Sequence, residues 1–90
     1  MNAQWSLRIQ TEQGSREFAL TRPTVTLGRA PDNDVVLQDA LVSGHHARLD
    51  VGPGGCTVTD LASTNGSWLN GQRLPPQTKV PMASGGVLRL

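Results

Sequence analysis

Apolar and polar side chains alternate with a period of two along most of this chain. Trp5, Leu7 and Ile9 fall on one face and Ser6, Arg8 and Gln10 on the other, as in a half-buried strand, where successive side chains point to opposite faces. The pattern predicts a strand over Trp5 to Gln10, a turn at Gln13-Gly14-Ser15, and a strand over Arg16 to Leu20 that breaks at Thr21-Arg22-Pro23. Val25 to Leu27 makes a third strand ending at Gly28-Arg29, Ala30 to Asp34 has loop composition, and Val35 to Leu37 is a short apolar strand. Within Leu41 to Val51, the side chains of Ala47, Leu49 and Val51 alternate with His46, Arg48 and Asp50. After Gly52-Pro53-Gly54-Gly55, Cys56, Val58 and Asp60 share one side of another strand, which makes Cys56 a small core residue and not a reactive thiol. Asn65-Gly66 and Asn70-Gly71 both read as type I′ turns, enclosing a strand of only Ser67-Trp68-Leu69. Pro75-Pro76, Pro81 and Gly85-Gly86 punctuate the rest, and Val87 to Leu90 is the last strand.

No segment sustains a 3.6-residue period. Short strands with a turn every 8 to 12 residues or so predict an all-β fold, a two-sheet β-sandwich of mostly antiparallel strands with binding loops at one end. Ninety residues, with 10 Gly and 6 Pro, suffice for one such domain spanning residues 1–90. A chain of this size buries about 60 to 65% of its unfolded surface, and one cysteine offers no disulfide to reinforce it.

Charge narrows the function. Eight Lys plus Arg against seven Asp plus Glu give a net +1, without the basic excess that binding to a nucleic-acid backbone requires. No apolar run approaches the length of about 18 residues that spans a bilayer, and Met1 to Trp5 shows no leader pattern. The expectation is a soluble, cytoplasmic protein with no nucleic acid and no membrane insertion.

Three turns concentrate hydrogen-bonding groups: Gly28-Arg29, Ser43-Gly44-His45-His46 and Ser63-Thr64-Asn65-Gly66. A guanidinium, hydroxyls, a carboxamide and the free N–H groups of glycine turns together suit a phosphate dianion better than a metal ion. An esterase-like set of Ser43, His46 and Asp50 or Asp60 lacks the strained G-x-S-x-G turn that presents a nucleophile. His45 and His46, as neighbours on extended backbone, point to opposite faces and cannot chelate one metal.

The order of these pieces resembles the forkhead-associated (FHA) domain family. The resemblance rests on Gly28-Arg29, Asn33-Asp34-Val35-Val36-Leu37, Val42-Ser43-Gly44-His45-His46-Ala47, Val58-Thr59-Asp60-Leu61, Ser63-Thr64-Asn65-Gly66 and Leu69-Asn70-Gly71. It implies a phosphothreonine-dependent protein–protein interaction module with no enzymatic activity and no cofactor. Arg29 is similar to the arginine that pairs with the phosphate, Ser43 to the serine that donates to it, and Thr64 to the residue closing the other side of the pocket. Asn65 resembles the asparagine that holds the backbone of the bound peptide, while Gly28, His46 and Gly66 match positions that support the loops. The implied partner is a phosphothreonine-containing protein, a Ser/Thr kinase substrate or the kinase itself. The alternative is a phospho-independent scaffold that binds through a sheet face or edge.

Three departures from the family pattern carry expectations. Gly44 stands where many members have Arg, Lys or Asn, leaving only a backbone N–H to donate. Leu41, uncharged in the loop before Ser43, predicts an apolar preference three residues beyond the phosphothreonine. The family usually has a further strand after the one resembling Val87 to Leu90, so the expectation is a truncated domain, or a first strand with an unpaired edge.

Overall fold

The sandwich is present in a computed structural model that describes residues 5–90; the leader reading of Met1 to Gln4 lies outside the described residues. The ten strands are β1 (Trp5–Thr11), β2 (Gly14–Leu20), β3 (Thr24–Gly28), β4 (Val35–Val36), β5 (Ala47–Gly52), β6 (Gly55–Asp60), β7 (Trp68–Leu69), β8 (Gln72–Arg73), β9 (Lys79–Met82) and β10 (Gly86–Arg89). One sheet has the order β2-β1-β10-β7-β8 and the other β4-β3-β5-β6-β9. β1–β10 and β3–β4 pair in parallel, and the other pairings are antiparallel.

The alternation predicts the core because each strand turns its apolar set inward. Leu7, Ile9 and Leu88 from one sheet and Val25, Leu27, Leu49 and Val58 from the other are buried in one cluster with Cys56. Each fully buried aliphatic side chain contributes about 1.5–3 kcal/mol. Burial also raises the pKa of the Cys56 thiol, with the Asp50 charge adding to the effect, which keeps the sulfur protonated and unreactive.

Several sequence expectations are corrected. The first turn is Glu12-Gln13, since β1 runs on to Thr11 and β2 already begins at Gly14, whose φ of 119° L-residues avoid. The segment containing Pro81 is a strand: β9 is the last strand of its sheet, so the missing N–H of proline faces no neighbour. Asn70 and Gly71 have φ of 49° and 85° and form the I′ hairpin of β7 and β8, but at Asn65-Gly66 only the glycine has positive φ. β1 has no unpaired edge. It lies between β2 and β10, and the Leu90 N–H extends that ladder to the Gln10 carbonyl at 3.0 Å. Among the described residues no helix is long and apolar enough to cross a membrane.

Candidate functional site

The three polar turns lie at one end of the sandwich and are bonded to each other through His46. Its backbone is fixed on both sides, the N–H donating to the Leu27 carbonyl at 2.9 Å and the carbonyl accepting from the Leu61 N–H at 2.9 Å. The imidazole is fully buried. The Ser43 N–H donates to Nδ1 at 3.0 Å, and Nε2 lies 2.8 Å from the Gly66 carbonyl. An amide can only donate and a carbonyl only accept, so the ring is neutral with its proton on Nε2. Burial accordingly lowers its pKa, against the opposing pull of the Gly66 carbonyl and the Asp60 charge.

Gly28 lets two loops close on each other. Arg29 N–H donates to the Ser43 carbonyl at 2.9 Å and Ala30 N–H to the Gly44 carbonyl at 3.0 Å. The Asn33 carboxamide donates to the Ala30 carbonyl at 2.8 Å and the Gly44 carbonyl at 2.7 Å. A side chain on Gly28 would strike the Gly44 carbonyl and come within 2.8 Å of Asn33 Nδ2. On the outer side of this junction, His45 Nε2 lies 2.9 and 3.0 Å from the two Asp32 oxygens, and that hydrogen bond is the main reason the Asp32 pKa is lowered.

The third turn is built on Asp60, a buried carboxylate at the end of β6. One oxygen accepts from the hydroxyls of Ser63 and Ser67, each at 2.6 Å, and the other from the Ser63 N–H at 3.2 Å. Ser63 Oγ in turn accepts the Gly66 N–H at 3.0 Å. Sequence reasoning weighed Asp60 only as the acid of a hydrolytic set, placed Ser63 in a polar turn without a partner, and gave no role in the site to Ser67 or Asn33. The Ser63-to-Gly66 bond has the i to i+3 spacing of a serine-capped turn and was readable in the sequence; the contacts of Asp60 with Ser67 and of Asn33 with Gly44 arise only on folding.

This framework leaves specific valences for a ligand. Ser43 Oγ accepts the Thr64 N–H at 3.0 Å, so the hydroxyl proton remains to donate. Asn65 Nδ2 donates to the Leu41 carbonyl at 2.9 Å, leaving Oδ1 and a second N–H. Thr64 is exposed, and so is Arg29, which has no carboxylate partner among the described residues, whereas Arg22 is engaged by Asp34 and Arg48 by Asp50. The same contacts exclude a hydrolytic triad: His46 Nδ1 receives the Ser43 amide, not its hydroxyl, and Asp60 is bonded to serines.

The site and fold have relatives. The family model described as FHA domain matches residues 25–90. The glycogen accumulation regulator GarA of Mycolicibacterium smegmatis is 36% identical over 77 residues, covering 86% of this chain and 46% of that protein. An oxoglutarate dehydrogenase inhibitor of Corynebacterium diphtheriae is 36% identical over 73 residues, covering 81% and 49%. The chain thus spans less than half the length of either relative. The structure of Mycobacterium tuberculosis EmbR in complex with a low-affinity phosphopeptide superimposes with a TM-score of 0.79 at 28% identity, covering 97% of this chain and 22% of that one. With residues 25–90 matched to the family and the same sandwich found in a solved relative, the chain belongs to the FHA domain family.

Proposed function

We propose that residues 1–90 act as one binding unit that docks on a phosphothreonine-containing segment of a partner protein. The observation that carries this reading is an exposed Arg29 with no carboxylate partner among the described residues, tied by its backbone N–H to the Ser43 carbonyl at 2.9 Å, together with a Ser43 hydroxyl that accepts the Thr64 N–H and keeps its proton available to donate. Thr64 closes the other side of the phosphate position, the Gly44 N–H adds a backbone donor, and Asn65 holds the extended peptide by its main chain. Gly28, His46 and Gly66 keep these donors in register. Charge-assisted hydrogen bonds contribute about 1.5–3 kcal/mol each, so three of them supply about 4.5–9 kcal/mol toward binding before the cost of association, and the peptide main-chain contacts must add to them.

Such a module acts by recruitment and not by chemistry. The partner is the substrate of a cytoplasmic Ser/Thr kinase or the kinase itself. Among the described residues Leu41, 41% exposed, is the most exposed large apolar side chain, and it lies in the loop cluster. That placement favours the loops over a sheet face as the docking surface, and supports an apolar preference three residues beyond the phosphothreonine. Strong selection of Asp at that position in a peptide array would refute the role of Leu41. For the site itself, NMR titration with a phosphothreonine peptide should shift the amides of Arg29, Ser43, Thr64 and Asn65; shifts confined to a sheet face would support the scaffold reading instead.

A further inference from the structure

Beside the loops stands a second group of cations without acidic partners. Arg89, Trp68 and Arg73 are cross-strand neighbours on β10, β7 and β8, and so form one row across the sheet. The Arg89 guanidinium carbon lies 4.5 Å and that of Arg73 5.6 Å from the Trp68 ring centroid. Neither arginine has a salt-bridge partner among the described residues, while Arg8, Arg22 and Arg48 each have one. Stacking on an aromatic face leaves the N–H edges of a guanidinium free to bind a planar or tetrahedral anion.

This row is continuous with the loop cluster. A Cβ placed on Gly66 would lie 3.1 Å from Arg73 Nε and 3.2 Å from its terminal nitrogen, so the guanidinium rests directly behind the Ser63–Gly66 turn. A hollow of about 350 Å³ connects Leu41 and Asn65 to Trp68, Arg89 and Leu90. Glu12 is the acidic residue lining that hollow, and among the ion pairs of the described residues it is joined to neither arginine. A peptide held by Asn65 and running along the hollow therefore meets the Arg89 guanidinium, and the Arg73 guanidinium stands on the same Trp68 ring beside the Ser63–Gly66 turn.

We propose that Arg73 and Arg89, stacked on Trp68, form a second anion subsite. It takes a carboxylate, or a second phosphate, from the same peptide whose phosphothreonine is bound at Arg29. The subsite rests on the phosphothreonine reading of the loops and extends it. Its specificity is additive: the loops require one phosphate, and the arginine row rewards a further negative charge at a fixed spacing from it.

The test is calorimetric titration with a phosphothreonine peptide whose flanks are otherwise neutral, and with a series in which a Glu or a second phosphothreonine is moved through the positions on either side. One position should bind about three- to tenfold more tightly with Glu, the range of one or two exposed ion pairs, and more tightly again with the second phosphate. The gain should shrink between low and high salt. The ratio of charged-peptide to neutral-peptide affinity should fall to one in R73Q/R89Q and survive in part in R73K/R89K, a comparison that is internal to each variant. Binding of the neutral peptide with no gain at any position, or a gain that persists in R73Q/R89Q, overturns the subsite alone. Failure of every phosphothreonine peptide to bind overturns the loop reading and the subsite with it.

Discussion

Replacing His46 by Phe separates the shape of this side chain from its hydrogen bonding. Phe also fills the fully buried site with a ring, but it cannot accept the Ser43 N–H or donate to the Gly66 carbonyl, bonds of 3.0 and 2.8 Å in the native domain. Leaving a buried donor or acceptor unsatisfied costs about 1–3 kcal/mol, so the two groups together should cost about 2–6 kcal/mol. A chain of this length has a total stability of about 5 to 13 kcal/mol, and the variant should therefore fold with a clearly lowered urea midpoint and an unchanged m-value. Because His46 ties the Ser43 turn to the Ser63–Gly66 turn, phosphopeptide affinity should also fall by about tenfold under conditions where the variant remains folded, one lost factor of ten being about 1.4 kcal/mol. A variant within about 0.5 kcal/mol of the native domain, with unaltered peptide affinity, would refute the assignment of His46 as the link between the loops.

Further predictions concern the same framework. The His46 pKa in the folded state lies below the ordinary histidine value of about 6.5, so as pH falls the unfolded chain takes up the proton first; stability should be complete above about pH 7 and decline from about pH 6.5 downward. Urea midpoints measured from pH 7.5 to 5 check this, and the loss should be smaller in His46→Phe; a midpoint that is flat or rises on acidification contradicts it. Gly28→Ala should destabilise by about 2–4 kcal/mol, since the new methyl overlaps the Gly44 carbonyl and must part the two loops; near-native unfolding and binding would show that the loops do not meet there. Gly44→Arg is sterically free, a Cβ there meeting only the Ala30 Cβ at 3.9 Å, and it should tighten phosphopeptide binding by about three- to tenfold through an added charged donor. An unchanged affinity on titration would place the phosphate away from Gly44.

The strands were legible where one face is buried and the other wet. Leu7 and Ile9 against Arg8 and Gln10 follow from the pleat alone, and Cys56 and Val58 are buried on either side of the half-buried Thr57. Lys79–Met82 was not legible, because Pro81 is a strand breaker unless the strand is at an edge, and edge position is a property of the assembled sheet. Gln72–Arg73 has only two residues and no alternation to read. The pairing of β1 with β10 is illegible for a similar reason: it joins the first strand to the last, and no local pattern encodes such a contact. In the site, the exposed polar residues of the three turns could be picked out by type and order. The buried groups beneath them could not, since Asp60 reads as an ordinary strand end until Ser63 and Ser67 close on it. Asn65-Gly66 shows how tertiary contact overrides turn propensity: the asparagine side chain is held by the Leu41 carbonyl, and its backbone stays out of the left-handed region.

The central claim is that this end of the sandwich recognises a phosphate on threonine through Arg29. Calorimetric titration of the domain with one peptide in phosphothreonine, phosphoserine and unphosphorylated forms, repeated with Arg29→Ala, tests it most directly. The account predicts binding of the phosphothreonine form, weaker binding of the phosphoserine form, none of the unphosphorylated form, and a loss of at least about tenfold in Arg29→Ala, the effect of one charge-assisted contact. Equal affinity for the phosphorylated and unphosphorylated peptides, or native affinity in a folded Arg29→Ala domain, would contradict it.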